Sequence, residues 1–112
     1  MAGRFEISKG KSGKFRFNLH AGNKRVILTS ETYNSKAAAL AAITAARHSA
    51  KSRDRFERRL SKDGQTYFVL RARNGEVIGQ SQRYAHDTSA YVGIRSVMKN
   101  AAKAPLRNTP KE

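Results

Sequence analysis

The 112-residue chain contains no cysteine and no tryptophan, and only two prolines. Without cysteine there is no disulfide, no zinc-thiolate cluster and no thiol nucleophile. Long apolar runs are missing too: the most apolar stretch, Ala37 to Ala46, is about half the length a membrane span needs. Met1-Ala2-Gly3-Arg4 leads straight into a strand-like pattern, leaving no apolar signal segment. The expectation is a soluble cytoplasmic protein with no membrane partner. Negative charge is scarce, with eight Asp and Glu against 23 Lys and Arg, a net charge of +15. Such an excess attracts polyanions over a Debye length and favours nucleic acid as a partner. The competing reading is a surface kept soluble by its charge.

What is present is a globular composition, with 38% hydrophobic residues. The length fits a single domain over residues 1–112, or two very small modules sharing one core. An internal repeat decides between these. Shifted by 51 residues, Phe5, Glu6, Gly13, Phe17, Leu19, Ala21 and Asn23 meet Phe56, Glu57, Gly64, Phe68, Leu70, Ala72 and Asn74. In the same register Val26-Ile27, Ser30, Tyr33, Ala39, Ile43 and Ala50 meet Val77-Ile78, Ser81, Tyr84, Ala90, Ile94 and Ala101. So many matches in one ungapped register mark a duplication, with copies at 4–50 and 55–101.

Each copy parses alike. Phe5–Ile7 and Phe56–Leu60 alternate as short strands, and Ser12-Gly13 and Asp63-Gly64 are turn pairs, the second suited to a type I′ hairpin. Phe15, Phe17 and Leu19 alternate with Arg16, Asn18 and His20, as Thr66, Phe68 and Leu70 do with Tyr67, Val69 and Arg71. Asn23 and Asn74-Gly75 mark a second turn, and a third strand follows in each copy. Asn34-Ser35 and Asp87-Thr88 offer N-cap oxygens to a helix. Ala39, Ile43, Ala46 and Ala50 make one helical face; Ala90, Ile94, Val97 and Ala101 make its twin.

The fold predicted is α+β: two tandem β-β-β-α repeats forming one antiparallel sheet, with both helices on one face and a pseudo-twofold between copies. One unit alone is too small to bury a sufficient core, so two complete it. The segment Lys51–Arg55 reads as a short connection. Residues 102–112, basic and holding Pro105 and Pro110, read as a fraying tail.

The doubled pattern Phe-x-Ile/Arg, Gly-x-x-x-Phe-x-Leu-x-Ala-x-Asn and Val-Ile-x-x-Ser-x-x-Tyr, each copy ending in a helix with a central Ile, resembles the YegP-like family. The resemblance covers nearly all of residues 4–101. It implies a β(3)-α repeat fold in which two units build one sheet, with exchange of strands across the symmetry axis left open. It also implies that single-repeat members dimerise and that tandem members are monomers mimicking that dimer. The family is uncharacterised, so the resemblance transfers no site residues. The first copy departs from the second at Lys24, opposite Gly75, and at Leu28, opposite Gly79.

No motif for chemistry survives inspection. Gly10-Lys11-Ser12 has the ending of a phosphate-binding loop, but the glycine that opens that signature would fall at Phe5. His20, His48 and His86 lack ligand spacing and read as surface histidines, so no metal and no cofactor are expected. Asp63 sits in a turn, Asp87 at a candidate cap, and Ser30 and Ser81 lack a nucleophile-elbow context. An enzyme is not expected. Ser30-x-x-Tyr33 and Ser81-x-x-Tyr84 read as structural: a hydroxyl satisfying stray backbone groups and a ring closing the core's edge. Two basic groups, Arg47–Lys51–Arg53–Arg55 and Lys99–Lys103–Arg107–Lys111, read as nonspecific electrostatics or helix-dipole complements.

The sharper candidate is the sheet face opposite the helices, presenting Arg16, His20, Arg59, Tyr67 and Arg71. Cations around an aromatic on an open sheet suit phosphate contacts and base stacking. The functional expectation is a small non-enzymatic module binding nucleic acid or another polyanion. The alternative is a protein-interaction or stress-associated module with a protein partner.

Overall fold

Alternation in the strands and helical spacing after the caps produce the elements in the order expected. The computed structural model describes residues 3–108. They form β1 (Arg4–Lys9), β2 (Phe15–His20), β3 (Val26–Ser30), α1 (Lys36–Ser49), β4 (Phe56–Leu60), β5 (Thr66–Arg71), β6 (Val77–Gln80), α2 (Asp87–Ala101) and β7 (Leu106–Asn108). A 3-10 turn, Arg53–Arg55, leads into β4. No helix among the described residues is long and apolar enough to cross a membrane.

The seven strands form one sheet in the order β4-β5-β6-β3-β2-β1-β7. Phe5 lies opposite Leu19 and Phe56 opposite Leu70, and both second hairpins carry an irregularity, at Leu19/His20 and at Leu70/Arg71. The two halves meet at β3 and β6, where Thr29 faces Gln80 and Ser30 faces Gly79. Gly79 is needed there: a Cβ would stand 2.6 Å from the Thr29 carbonyl oxygen.

Two expectations are corrected. The sheet is mixed, because β7 runs parallel to β1 with Leu106 opposite Phe5. The segment after Ala102 therefore does not simply fray. The Phe5 N–H donates to the Pro105 carbonyl at 2.8 Å, and Ala104 is buried. The outer edge of β1 carries unpaired backbone groups, and the returning chain supplies their partners. Pro110 and Lys111, assigned to the tail, lie outside the described residues.

Both helices cover one face. All eight residues of the two predicted helical faces are buried, against Phe5, Phe17, Leu19, Phe68 and Leu70 of the sheet. Phe5 meets Phe17 edge-on at 5.7 Å, and Phe56 meets Phe68 likewise at 5.7 Å. Helix α1 packs on β2 and also on β5 and β6; α2 packs on β5 and also on β3 and β1. Neither half encloses a core by itself.

The turns differ from the type I′ reading. Gly13 (φ 83°) and Gly64 (φ 85°) are left-handed, but Ser12 and Asp63 are not. With Gly13 N–H donating to Gly10 and Gly64 N–H to Ser61, each is a right-handed turn closed by a left-handed glycine. The second turns repeat this with Lys24 (φ 73°) and Gly75 (φ 90°) in the left-handed place. Asn23 and Asn74 instead accept from the N–H groups of Arg25 and Glu76, both at 3.0 Å. Ser35 caps α1 by accepting from Ala38 N–H at 3.1 Å. Asp87 does not cap α2: its carboxylate accepts from the Thr66 hydroxyl at 2.8 Å and pairs with Arg58 at 3.3 Å. His86 holds the cap position without a side-chain bond.

Candidate nucleic-acid interface

The strand period and the pairing register set Arg16 and His20 of β2 on the face away from the helices, with Arg59 of β4 and Tyr67 and Arg71 of β5. The five residues fall into two groups, one in each half, separated by β3 and β6.

In the second half the cations are already occupied. Arg71 Nε donates to Glu57 at 2.6 Å and its Nη1 to the Gly75 carbonyl at 2.6 Å. Arg59 Nε reaches the same carboxylate at 3.4 Å. Hydrogen bonds from Arg71 and then Arg59 hold the Glu57 carboxyl below the usual carboxylate range. Two guanidiniums around one carboxylate leave a single net positive charge. Tyr67 is half-buried, and the Arg83 guanidinium lies 5.6 Å over its ring centroid.

In the first half His20 is not a surface histidine. It is 9% exposed, with Nδ1 3.2 Å from the Lys24 carbonyl oxygen and Nε2 3.5 Å from a Glu6 carboxylate oxygen. The irregularity at Leu19/His20 lies at this residue, and Arg4 and Val26 are its cross-strand neighbours. Arg16 is exposed. It borders a groove of about 510 Å³ along the β3–β6 seam, with Asn18, Thr29, Gln80 and Gln82. What this face offers solvent is therefore Arg16, the Arg83-covered Tyr67, a polar seam and the half-exposed, mutually paired Glu57, Arg59 and Arg71.

Sequence reasoning missed Arg83 and Gln82, which sit in a connection without periodicity. It also missed an exposed aromatic, Tyr91, on α2. Arg53 and Arg58 lie over its ring at 5.0 and 5.1 Å. Its position beside Ala90, off the apolar helical face, was the available signal.

The Ser-x-x-Tyr pairs are structural. The N–H groups of Phe17 and Phe68 donate to the Ser30 and Ser81 hydroxyls at 2.8 and 3.0 Å, and those hydroxyls donate to Glu31 and Gln82. Tyr33 and Tyr84 bridge to Phe15 and Thr66, and burial pushes both phenols up. Among the described residues no cluster of His, Cys, Asp or Glu could hold a metal ion.

The family described as a domain of unknown function (DUF1508) matches residues 11–57 and again 61–107. The chain is 43% identical over 106 residues to UPF0339 protein PA0329 of Pseudomonas aeruginosa, covering 95% of this chain and 96% of that protein. It is 42% identical over 108 residues to UPF0339 protein YegP of Escherichia coli, covering 96% and 98%. The solution NMR structure of yegP from E. coli superposes with a TM-score of 0.92 at 41% identity, covering 97% of this chain and 94% of that one. That of SO3888 from Shewanella oneidensis gives 0.90 at 36%, covering 96% and 92%. With the family matched in both halves and full-length relatives above two-fifths identity, the chain belongs to the uncharacterised YegP-like DUF1508 family.

Proposed function

We propose that this protein is a non-enzymatic, cytoplasmic module that binds nucleic acid through the phosphate backbone. One observation carries the reading: the carboxylates are outnumbered, and several are already taken. Glu57 serves Arg59 and Arg71, Asp87 serves Arg58, and Glu6 serves Arg4. Arg25, Arg73, Arg95 and Lys99 have no carboxylate within 4.0 Å among the described residues. Unpaired surface cations release counterions from a polyanion, and that release drives binding.

In this reading the units 4–50 and 55–101 stand in for the two subunits of a homodimer, and the chain works as a monomer. The pairing of β3 with β6 and the helices that straddle both halves support it.

The test uses nuclease-treated protein and a labelled oligothymidylate at low salt. The logarithm of the binding constant should fall linearly with the logarithm of salt, by about 0.7 for each phosphate neutralised. Absence of binding to single and double strands alike removes the proposal. A protein partner is then the reading left, and edge strand β4 with Leu60 at 72% exposure favours it.

A further inference from the structure

Two clefts lie between the helices and the hairpins, and they correspond to each other under the 51-residue shift. The first, about 490 Å³, is lined by His48, Ser49, Ser52 and Arg55 near the end of α1 and by Arg73 of the β5–β6 hairpin. The second, about 640 Å³, is lined by Arg95, Ser96, Lys99 and Asn100 of α2 and by Gly22 of the β2–β3 hairpin. His48 corresponds to Lys99, Ser49 to Asn100 and Arg73 to Gly22. Each cleft joins the helix of one half to the hairpin of the other.

We infer that the phosphate groups of the bound nucleic acid are held in these two clefts, on the helical side and not on the open sheet face. This rests on the binding reading above. Three features support it. Neither lining includes a carboxylate, whereas the open face carries Glu57 and Glu6 among its cations. The residue identities differ between the clefts, yet each keeps cations beside a small hydrogen-bonding side chain, Ser49 or Asn100. Cations at a helix C-terminus also complement its dipole, but Arg73 stands on a hairpin, outside either helix. Both volumes fall within the ~300–1,000 Å³ of ordinary ligand clefts.

His48, Arg73, Arg95 and Lys99 are all exposed, so replacing them leaves the core intact. The experiment measures the salt dependence of oligothymidylate binding for four variants, each confirmed folded by thermal melting. Arg95→Gln with Lys99→Gln should lower the slope by about 1.4, and Arg73→Gln by about 0.7. Gly22→Arg, placing an arginine where the other cleft has Arg73, should raise it by about 0.7. Arg16→Gln with Arg83→Gln, on the open face, should leave it unchanged. The inference is overturned if the open-face pair lowers the slope as much as the Arg95/Lys99 pair, or if the cleft variants keep the wild-type slope. If the wild-type protein shows no salt-dependent binding, the binding reading fails first and this inference fails with it.

Discussion

The Ser30 hydroxyl accepts a hydrogen bond from the Phe17 backbone N–H at 2.8 Å, and Ser81 does the same for Phe68 at 3.0 Å. Both N–H groups are buried where a strand neighbour would ordinarily supply a carbonyl. Replacing either serine by alanine strands a donor, which costs about 1–3 kcal/mol. Urea unfolding of Ser30→Ala and Ser81→Ala should show that loss with an unchanged m-value. A neutral result would mean that water reaches the amide.

Lys24 holds a left-handed conformation that glycine holds at position 75. A side chain there costs roughly 1–2 kcal/mol, partly offset by the greater freedom that glycine gives the unfolded chain. Lys24→Gly should therefore raise the urea midpoint, and Gly75→Ala should lower it. An unchanged midpoint in both would show that these turns tolerate the side chain.

Glu57→Gln should free Arg59 and Arg71 from their shared carboxylate. If the open face contacted phosphate, oligonucleotide affinity would rise well beyond the effect of one lost charge; with phosphates in the clefts, only a small general increase is expected. The same variant has a pH signature. Glu57 titrates below its usual value in the fold, so its contribution is present above that usual value and lost as pH falls through the lowered one. Wild type should lose stability across that acid window, and Glu57→Gln should be flatter there.

Burial raises the phenols of Tyr33 and Tyr84. Their contribution is complete below the usual phenol value and lost as pH rises through the raised ones. Alkaline unfolding of Tyr84→Phe should therefore be less steep than that of wild type. Gly93 is part of the same arrangement: a Cβ would come 2.4 Å from the Tyr84 hydroxyl oxygen, and that ring stacks on Phe68 at 6.4 Å. Gly93→Ala should cost roughly 1–3 kcal/mol despite alanine's better helix propensity, as read by thermal melting.

The helices were legible because Ala39, Ile43, Ala46 and Ala50 recur at helical spacing and their twins repeat it. The strands were legible because Phe17 and Leu19 alternate with polar residues. Strand β7 was not: Leu106-Arg107-Asn108 follows a proline, is too short for a period, and pairs with the far end of the chain. Alternation assigned Arg16 and Arg71 to the correct face but could not say which cations find a carboxylate. It could not bury His20 either, since that ring is enclosed by groups from other segments, the Lys24 carbonyl and the Glu6 carboxylate among them. The clefts join a helix of one copy to a hairpin of the other, so no single stretch of sequence contains them.

Strand β7 makes the two ends of the sheet unlike. Beyond β1 the sheet closes with a three-residue strand that follows Pro105, too short to template another chain. Beyond β4 the backbone of a five-residue strand faces outward, beside Arg58, Arg59 and Lys62. A sheet with two receptive ends can add copies without limit and grow into a fibre. One with a single receptive end can join only one partner, and among the described residues the three-residue β7 leaves β4 as the longer of the sheet's two outer strands.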